Sequence, residues 1–374
     1  MSKVFMIINE DRFFLSHRRP VAEAARKVNF KTVIVTKDTG FKVEIKKLGF
    51  KVLDLPINPT GMNLFQELRT MSYLYRLYRR EKPDIVHHVG LKNILWGGIA
   101  ARMAHVKGVV NAVSGLGSLF NGERLSMTAK GVVRAMRFVN NSHNVKFIFQ
   151  NNDDLDIFTK HKVVKPDQVE FTKGSGVDLN EYAPVVKTSE GRVNIIFTAR
   201  MVKEKGVMDL IEAANILKPD YADRISFTLC GRLTPNKTGV TEEYMRSHCD
   251  GAYINWLGEC DNVKEMLGKS HIMAFPSYYR EGVPKSLIEA AACGLPIVTC
   301  DSTGCRDVVD DALNGFLIEP KNPEMLAEKL KILIDNKELR ERMGRESRLK
   351  AEREFGIEKV VETHLRIYKE LLNN

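Results

Sequence analysis

Short, continuously apolar runs alternate along the whole chain with longer stretches of helical period, and that alternation leaves few folds open. A strand that is apolar at every position must be covered on both faces, and parallel strands joined by helices supply that cover. In the first half the runs are VFMII (4–8), TVIVT (32–36), KVLDL (51–55), DIVHHVG (84–90), GVVNAVSG (108–115), VKFIFQ (145–150) and VEFTKG (169–174). They stop at a polar, turn-rich loop over 183–192 and then resume. The second series is 193–198, ISFTLCG (225–231), YINWLG (253–258), HIMAFPS (271–277), PIVTC (296–300) and FLIEP (316–320). A chain of 374 residues is too long for one ordinary core, so two doubly wound α/β domains of similar size are predicted.

The helices carry local start signals. Ser16 is placed to cap a helix bearing Val21, Ala24, Ala25 and Val28. Asn322 and Pro323 open a helix over 322–333, with Leu326, Leu330 and Leu333 on its apolar face. Helical material continues through 337–353, and 357–372 forms a last amphipathic segment.

Charge separates the halves. Residues 1–180 hold 29 Lys and Arg against 16 Asp and Glu, a net of +13, whereas the remainder holds 28 against 31. A basic first domain suggests an anionic partner, either nucleic acid or an anionic membrane surface. No helix-turn-helix, zinc or ribonucleoprotein-type signature is present, which argues against nucleic acid. Two amphipathic stretches suit a membrane interface. Residues 64–80 set Leu64, Leu68, Met71, Leu74, Tyr75 and Tyr78 beside Arg69, Arg76, Arg79 and Arg80. Residues 125–138 set Met127, Val132, Val133, Met136 and Phe138 beside Lys130, Arg134 and Arg137. Each stretch alone also fits a core-facing helix with a solvated cationic face. No apolar run reaches the roughly 18 residues of a spanning helix. All six cysteines lie from Cys230 onward without a CxxC pair, so a reducing, cytosolic setting is expected.

In doubly wound sheets ligands bind beyond the carboxyl ends of the strands, so the loops there are the candidate sites. TARMVKEKG (198–206) puts Arg200 and Lys205 beside a helix opened by Gly206, a suitable clamp for a diphosphate. A solvated charged turn is the plainer alternative. GRLTPNKTG (231–239) has Gly231 for a tight turn after its strand. SYYREGVPKSLIEAAACG (277–294) sets Glu281 on a loop and Glu289 inside an apolar helix that begins near Pro284. A carboxylate among Leu, Ile and Ala needs a partner. That partner is a salt bridge or a helix cap on the simpler reading, and the hydroxyls of a sugar on the sharper one. Gly282, Val283 and Lys285 are placed to offer backbone amides, and Ser286 to meet a phosphate.

The Glu281–Glu289 pair within REGVPKSLIEAAACGLPIV, the Arg200 and Lys205-Gly206 spacing, and GSGVD (174–178) together resemble one family. It is the retaining, nucleotide-sugar-dependent glycosyltransferases of family 4, which have the GT-B fold of two Rossmann-like domains facing across a cleft. The resemblance implies an acceptor-binding domain at 1–185, a donor-binding domain at 186–355, and a final helix at 356–374 that crosses back to the first domain. It implies that Arg200 and Lys205 neutralise the donor diphosphate, that Glu281 holds hydroxyls of the donor sugar, and that Glu289 holds the ribose. Gly231 and the stretch Gly282, Val283, Pro284, Lys285 and Ser286 complete the donor contacts. No cofactor is expected beyond the UDP-sugar co-substrate. The closest acidic cluster to an Asp-x-Asp metal motif, DDLD at 153–156, lies at the start of a first-domain helix, so a metal-independent reaction is expected with Arg200 and Lys205 in the metal's role.

The family's glycine-rich turn after the first strand is absent; the position reads NEDRFFLSHRRP. This resembles the subgroup that acts on undecaprenyl-diphosphate-linked sugars in polysaccharide or glycan assembly. His17 and Arg18 would then meet an acceptor pyrophosphate, with a solvent-facing His17 as the alternative. Of His87 and His88, one should point toward the cleft because successive strand residues alternate, and His88 is favoured by position. Ser114 and Gly115 of SGLG (114–117) form a further turn by the cleft. The expected partners are a nucleotide sugar, a lipid-linked saccharide acceptor and an anionic membrane surface on the inner face of the cell membrane. A soluble saccharide or small-molecule acceptor is the alternative, and a non-enzymatic sugar-nucleotide-binding protein a weaker one. A nicotinamide-dependent oxidoreductase is disfavoured because no GxGxxG follows a strand.

Overall fold

The computed structural model describes residues 1–58, 63–116, 126–185, 191–234 and 238–373. The centre of the expected boundary loop (186–190), Gly117, Leu125 and the tip of the 231–239 loop (235–237) lie outside the described residues. The chain divides into two compact units, Met1–Gly176 with Ile357–Asn374, and Val177–Gly356.

The first unit is built on seven parallel strands. They are β1 (Lys3–Glu10), β2 (Lys31–Lys37), β3 (Lys51–Asp54), β4 (Ile85–Val89), β5 (Gly108–Ala112), β6 (Val145–Phe149) and β7 (Val169–Phe171). Their spatial order is β3-β2-β1-β4-β5-β6-β7. The connecting helices are α1 (Arg19–Lys27), α2 (Lys42–Lys47), α3 (Leu64–Glu81), α4 (Leu91–Ala104), α5 (Met127–Asn140) and α6 (Asn152–Lys160). Strand alternation divides the core into two layers. Phe5, Ile7 and Val86 pack with Leu74, Leu77 and Tyr78 of α3 and with Met136 of α5. Val4, Met6 and Ile8 pack on the opposite face with Val21 and Ala25 of α1.

The second unit has six parallel strands, β8 (Val193–Thr198), β9 (Ile225–Cys230), β10 (Ile254–Trp256), β11 (Ile272–Phe275), β12 (Ile297–Cys300) and β13 (Gly315–Ile318). Their order is β10-β9-β8-β11-β12-β13. Helices α7 (Val207–Tyr221), α8 (Glu242–His248), α9 (Val263–Gly268), α10 (Lys285–Ala292), α11 (Pro323–Asp335) and α12 (Lys337–Lys350) complete it. The last helix, α13 (Ile357–Asn373), returns to the first unit, where Val360, Ile367, Tyr368 and Leu371 join the layer containing α1.

The second unit starts at Val177, earlier than the expected boundary at 186. Polarity marked the exposed loop, but the segment before it is already tied down. Val177 bridges Gly356, and the Arg348 guanidinium donates to the carbonyls of Leu179, Tyr182 and Ala292. Ser16 does not cap α1. The chain is already helical from Asp11, with a π-helical turn over Phe14–Arg18, so the Ser16 hydroxyl donates back to the Arg12 carbonyl. The segment is anchored instead by buried Asp11, whose carboxylate accepts from the amides of Thr39 and Phe41.

Both histidines of β4 are fully buried, which corrects the expectation that His88 faces a ligand. Alternation sends them to opposite faces, but helices cover both faces. His88 bonds Tyr78 Oη at 3.1 Å and Asn111 Oδ1 at 3.1 Å, while His87 Nδ1 lies 2.7 Å from Tyr368 Oη. Burial pushes the His88 imidazole down to about 4 and that of buried His364 to about 3, and it lowers His87 as well. Below about pH 6.5 an unfolded chain therefore takes up protons that the folded chain refuses. Stability is complete above that pH and is lost as pH falls toward 4. For His88 alone the loss between pH 6.5 and 5 should be roughly 2 kcal/mol. Urea unfolding at the two pH values, with His88→Gln showing a smaller difference than the parent, checks this.

Candidate active site

In the second unit the strand order reverses between β8 and β11, and a crevice opens beyond their carboxyl ends at such a point. Lys205 follows β8 and Glu281 follows β11, so residues 76 positions apart meet there. The Lys205 ammonium donates to Glu281 Oε1, with the two side chains only 10% and 16% exposed. Ser277 Oγ lies 3.2 Å from the same carboxylate oxygen and 3.3 Å from the Glu204 carbonyl. Lys205 Nζ also sits 5.1 Å from the centroid of Phe275 and 5.8 Å from that of Tyr279, which limits its contact with water.

Backbone proximity makes this meeting possible. Gly206 has φ +76°, and a Cβ there would lie 2.1 Å from the Pro276 carbonyl oxygen. The amides of Tyr278 and Tyr279 both donate to the Glu204 carbonyl, stitching the β11 loop to the β8 loop. Gly206 is also the N-cap of α7, so the cations stand beside a helix N-terminus. Arg200 is exposed, and its charge reaches the Tyr279 hydroxyl, opposing the upward shift that burial gives that group. Gly231 touches the same loop, where a Cβ would lie 1.6 Å from the Ala199 carbonyl oxygen.

The second carboxylate occupies a different setting. Glu289 lies within α10, 8% exposed, with Lys285 Nζ 3.4 Å away one turn earlier. Tyr182, on the segment before β8, is near enough to influence its ionisation. Burial raises the Glu289 carboxyl above the usual range, and Lys285 and Tyr182 oppose that rise. Both carboxylates are thus in ion pairs, the plainer of the two sequence readings. Pro284 is the N-cap of α10, its carbonyl accepting from the amides of Leu287 and Ile288. Gly282 is buried, and Val283 at 6% exposure points into the core. Lys285 and Ser286 are half-buried at the helix mouth.

Sequence reasoning missed three contributors. Ser277 supports Glu281, Tyr182 influences the ionisation of Glu289, and Gly304 backs the loop between them. A Cβ on Gly304, at φ +82°, would lie 1.6 Å from the Gly282 carbonyl oxygen. Only the two tight glycine loops could have suggested the last of these, and nothing local suggests the first two.

In the first unit the candidates separate. His17 is half-buried, stacked on Phe13 with ring centroids 4.1 Å apart and its Nδ1 2.7 Å from Ser16 Oγ. Arg18 is turned into the core, 2% exposed, which corrects its expected role at an acceptor. The π-helical turn rotates its side chain toward His87, His364 and Tyr368; Nε and Nη1 have no hydrogen-bond partner, and burial lowers it to about 10. Ser114 and Gly115 follow β5, half-buried, with Gly115 at φ +105°. They lie at the carboxyl edge of the sheet, as does His17 after β1.

The sequence agrees with this arrangement. The profile of the family described as "Glycosyl transferase 4-like" matches residues 3–151, and that of "Glycosyl transferases group 1" matches residues 180–350. The N,N'-diacetylbacillosaminyl-diphospho-undecaprenol alpha-1,3-N-acetylgalactosaminyltransferase of Campylobacter jejuni is 25% identical, over 96% of this chain and 99% of its own. The UDP-Gal:alpha-D-GlcNAc-diphosphoundecaprenol alpha-1,3-galactosyltransferase of Escherichia coli is 25% identical, over 91% of this chain and 89% of its own. Among solved structures, Anabaena HepE in complex with UDP and glucose superposes with a TM-score of 0.79 at 16% identity, covering 99% of this chain and 100% of that one. A glycosyltransferase from Rickettsia africae gives 0.78 at 17% identity, covering 100% and 99%. With a 4-like first part and a group 1 second part on two Rossmann-like sheets, the chain belongs to the glycosyltransferases of the GT-B fold.

Proposed function

We propose that this glycosyltransferase is retaining and moves a hexose or N-acetylhexosamine from a UDP-sugar onto a saccharide carried on undecaprenyl diphosphate. The observation that carries the donor side is the Lys205–Glu281 pair at the switch point of the second sheet. In the reaction the bond between the anomeric carbon and the diphosphate oxygen breaks, and UDP leaves with its electron pair. Lys205, Arg200 and the N-terminus of α7 stand where that negative charge grows, which lowers the barrier. They take the charge-neutralising role without a metal. Glu281 receives hydroxyls of the sugar and Glu289 those of the ribose. The acceptor hydroxyl attacks from the face the diphosphate leaves, and its proton passes to a leaving phosphate oxygen. Neither glutamate acts as a general base. The two relatives named for diphospho-undecaprenol substrates support the acceptor class, with His17, Ser114 and Gly115 at the carboxyl edge of the first sheet as its contacts.

Peripheral attachment to the inner face of the membrane through the basic first unit belongs to the same proposal. Among the described residues no helix is long and apolar enough to cross a membrane. Leu64, Phe65 and Leu68 at the start of α3 are 65%, 87% and 41% exposed beside exposed Arg69. Met127 and Phe138 of α5 are also exposed, with Lys130, Arg134 and Arg137. Apolar side chains ringed by cations suit an anionic interface, where each cation contributes about 1 kcal/mol. Cosedimentation with phosphatidylglycerol vesicles should be strong at low salt, fall at high salt, and drop severalfold in Phe65→Asp. Absence of binding at low salt would sink the membrane reading.

The decisive assay follows UDP release from a panel of UDP- and GDP-sugars, with undecaprenyl-diphosphate saccharides and soluble saccharides as acceptors. Transfer to the lipid-linked acceptor with anomeric configuration kept is the expected result. Transfer only to soluble saccharides would overturn the acceptor assignment.

A further inference from the structure

The first sheet has its own reversal of strand order, between β1 and β4, and the residues after those two strands meet at its carboxyl edge. Asn93, in the first turn of α4, is 1% exposed and sends its side chain to both strand ends. Its Nδ2 donates to the carbonyls of Val89 at 2.8 Å and Ile7 at 3.2 Å, and to Asn9 Oδ1 at 2.9 Å. Backbone carbonyls only accept, so they fix which end of the Asn93 carboxamide faces the strands. That end in turn fixes half-buried Asn9, whose oxygen faces Asn93 and whose Nδ2 therefore faces away. The Asn9 Nδ2 stands beside Gly90, the N-cap of α4 at φ +85°, where a Cβ would lie 3.7 Å from it. Gly90 offers no side-chain cap, and the first bond within the helix runs from the Ile94 amide to the Gly90 carbonyl at 3.0 Å. The amides of the first turn thus have no carbonyl inside the helix to meet. The arrangement also leaves Asn93 Oδ1 buried without a hydrogen-bond partner. A buried orphan oxygen destabilises, and the carboxamide bears that cost to keep its N–H groups on Asn9 and the strand ends.

We infer that Asn9 donates a hydrogen bond to a phosphate oxygen of the acceptor's diphosphate at the start of α4, and that Asn93 is the positioning residue that aims it. An anionic oxygen suits a place where a directed N–H donor stands beside the positive end of a helix. Lys92 in the same turn is engaged, with Nζ 2.7 Å from both Glu67 Oε1 and the Asn58 carbonyl, so recognition falls to the oriented amides. Glu67 lies in the first turn of α3, and its neighbours Leu64, Phe65 and Leu68 are exposed. The ion pair therefore ties the start of α4 to an apolar surface, which suits a diphosphate that carries a lipid. A carboxamide already held by a buried partner loses little side-chain freedom when the ligand arrives.

The inference rests on the lipid-linked acceptor of the proposed function, and the experiment separates the two. Asn9→Ala, Asn93→Ala and the double variant are compared for kcat, KM of the UDP-sugar and KM of the undecaprenyl-diphosphate saccharide. Farnesyl diphosphate, which carries no sugar, is tested as a competitor of that acceptor. Asn9→Ala should raise the acceptor KM and the farnesyl diphosphate inhibition constant about tenfold, with kcat and donor KM within about twofold. Asn93→Ala should do the same in the parent but move the acceptor KM less than about twofold in the Asn9→Ala background, because it acts through Asn9. Thermal unfolding of each variant shows whether a loss reflects folding, and half-buried Asn9 decides the matter should Asn93→Ala not fold. An unchanged acceptor KM in Asn9→Ala overturns the inference alone, as does a rise in donor KM instead, or a farnesyl diphosphate that does not compete in the parent. Transfer by the parent to soluble saccharides only overturns the acceptor reading and the inference with it.

Discussion

Lys205→Met should lower kcat/KM for sugar transfer by about a thousandfold, mostly in kcat, while leaving a folded protein. The ammonium is the least hydrated cation at the switch point. It is held by Glu281 and screened by Phe275 and Tyr279, so it is already placed before charge develops on the leaving diphosphate. A preorganised charge in a site shielded from water acts more strongly than one reaching in from solvent. Arg200, which is exposed, should give a smaller loss of roughly tenfold as Arg200→Met. Initial rates of UDP release, with a circular-dichroism melt for each variant, make the measurement. Unchanged turnover in Lys205→Met would remove this loop from the active site.

Gly304→Ala should be among the most damaging methyl additions in the donor loops, through stability and donor affinity together. Its φ of +82° disfavours any Cβ, and the Cβ would lie 1.6 Å from the Gly282 carbonyl oxygen and 3.0 Å from that of Glu281. The clash is with backbone, so no rotamer relieves it. Either the Glu281–Gly282 loop moves or the unit loosens. The expected cost is about 3 kcal/mol or more in urea unfolding, with the UDP-sugar KM raised at least tenfold in whatever remains folded. Gly131→Ala is the control. That glycine lies in α5 with nothing within 4 Å of its would-be Cβ, and the change should stabilise slightly. Equal stability of the two variants would contradict the close approach at Gly304.

Those two glycines also show where sequence reading stops. Gly304 stands between Thr303 and Cys305 and Gly131 between Lys130 and Val132, and neither periodicity nor turn chemistry ranks them. Their difference is the identity of a backbone atom more than 20 residues away in one case, and its absence in the other. The strands, by contrast, were legible, their starts within a residue and their ends within three. TVIVT predicts 32–36 and the strand is Lys31–Lys37; the Asn322-Pro323 signature predicts a helix over 322–333 and it runs Pro323–Asp335. Local pattern determines these because burial on two faces demands unbroken apolarity, and a cap is decided within four residues. Position relative to a surface is not local. Alternation correctly sends His87 and His88 to opposite faces, but whether either face is open depends on α3 and α13, from distant parts of the chain.

From sequence alone, this chain was an alternating α/β protein of two sheets with cationic and acidic loops after strands of its second half. Those features follow from residue spacing of two and 3.6 and from the conformations glycine and proline permit. The tertiary structure alone decided which loops meet. It brought Lys205 to Glu281, placed Gly304 behind Gly282, and withdrew Arg18 and His88 into the core. Such pairings depend on strand order, and strand order is set by how whole helices and sheets share their buried surface, a property no short window contains.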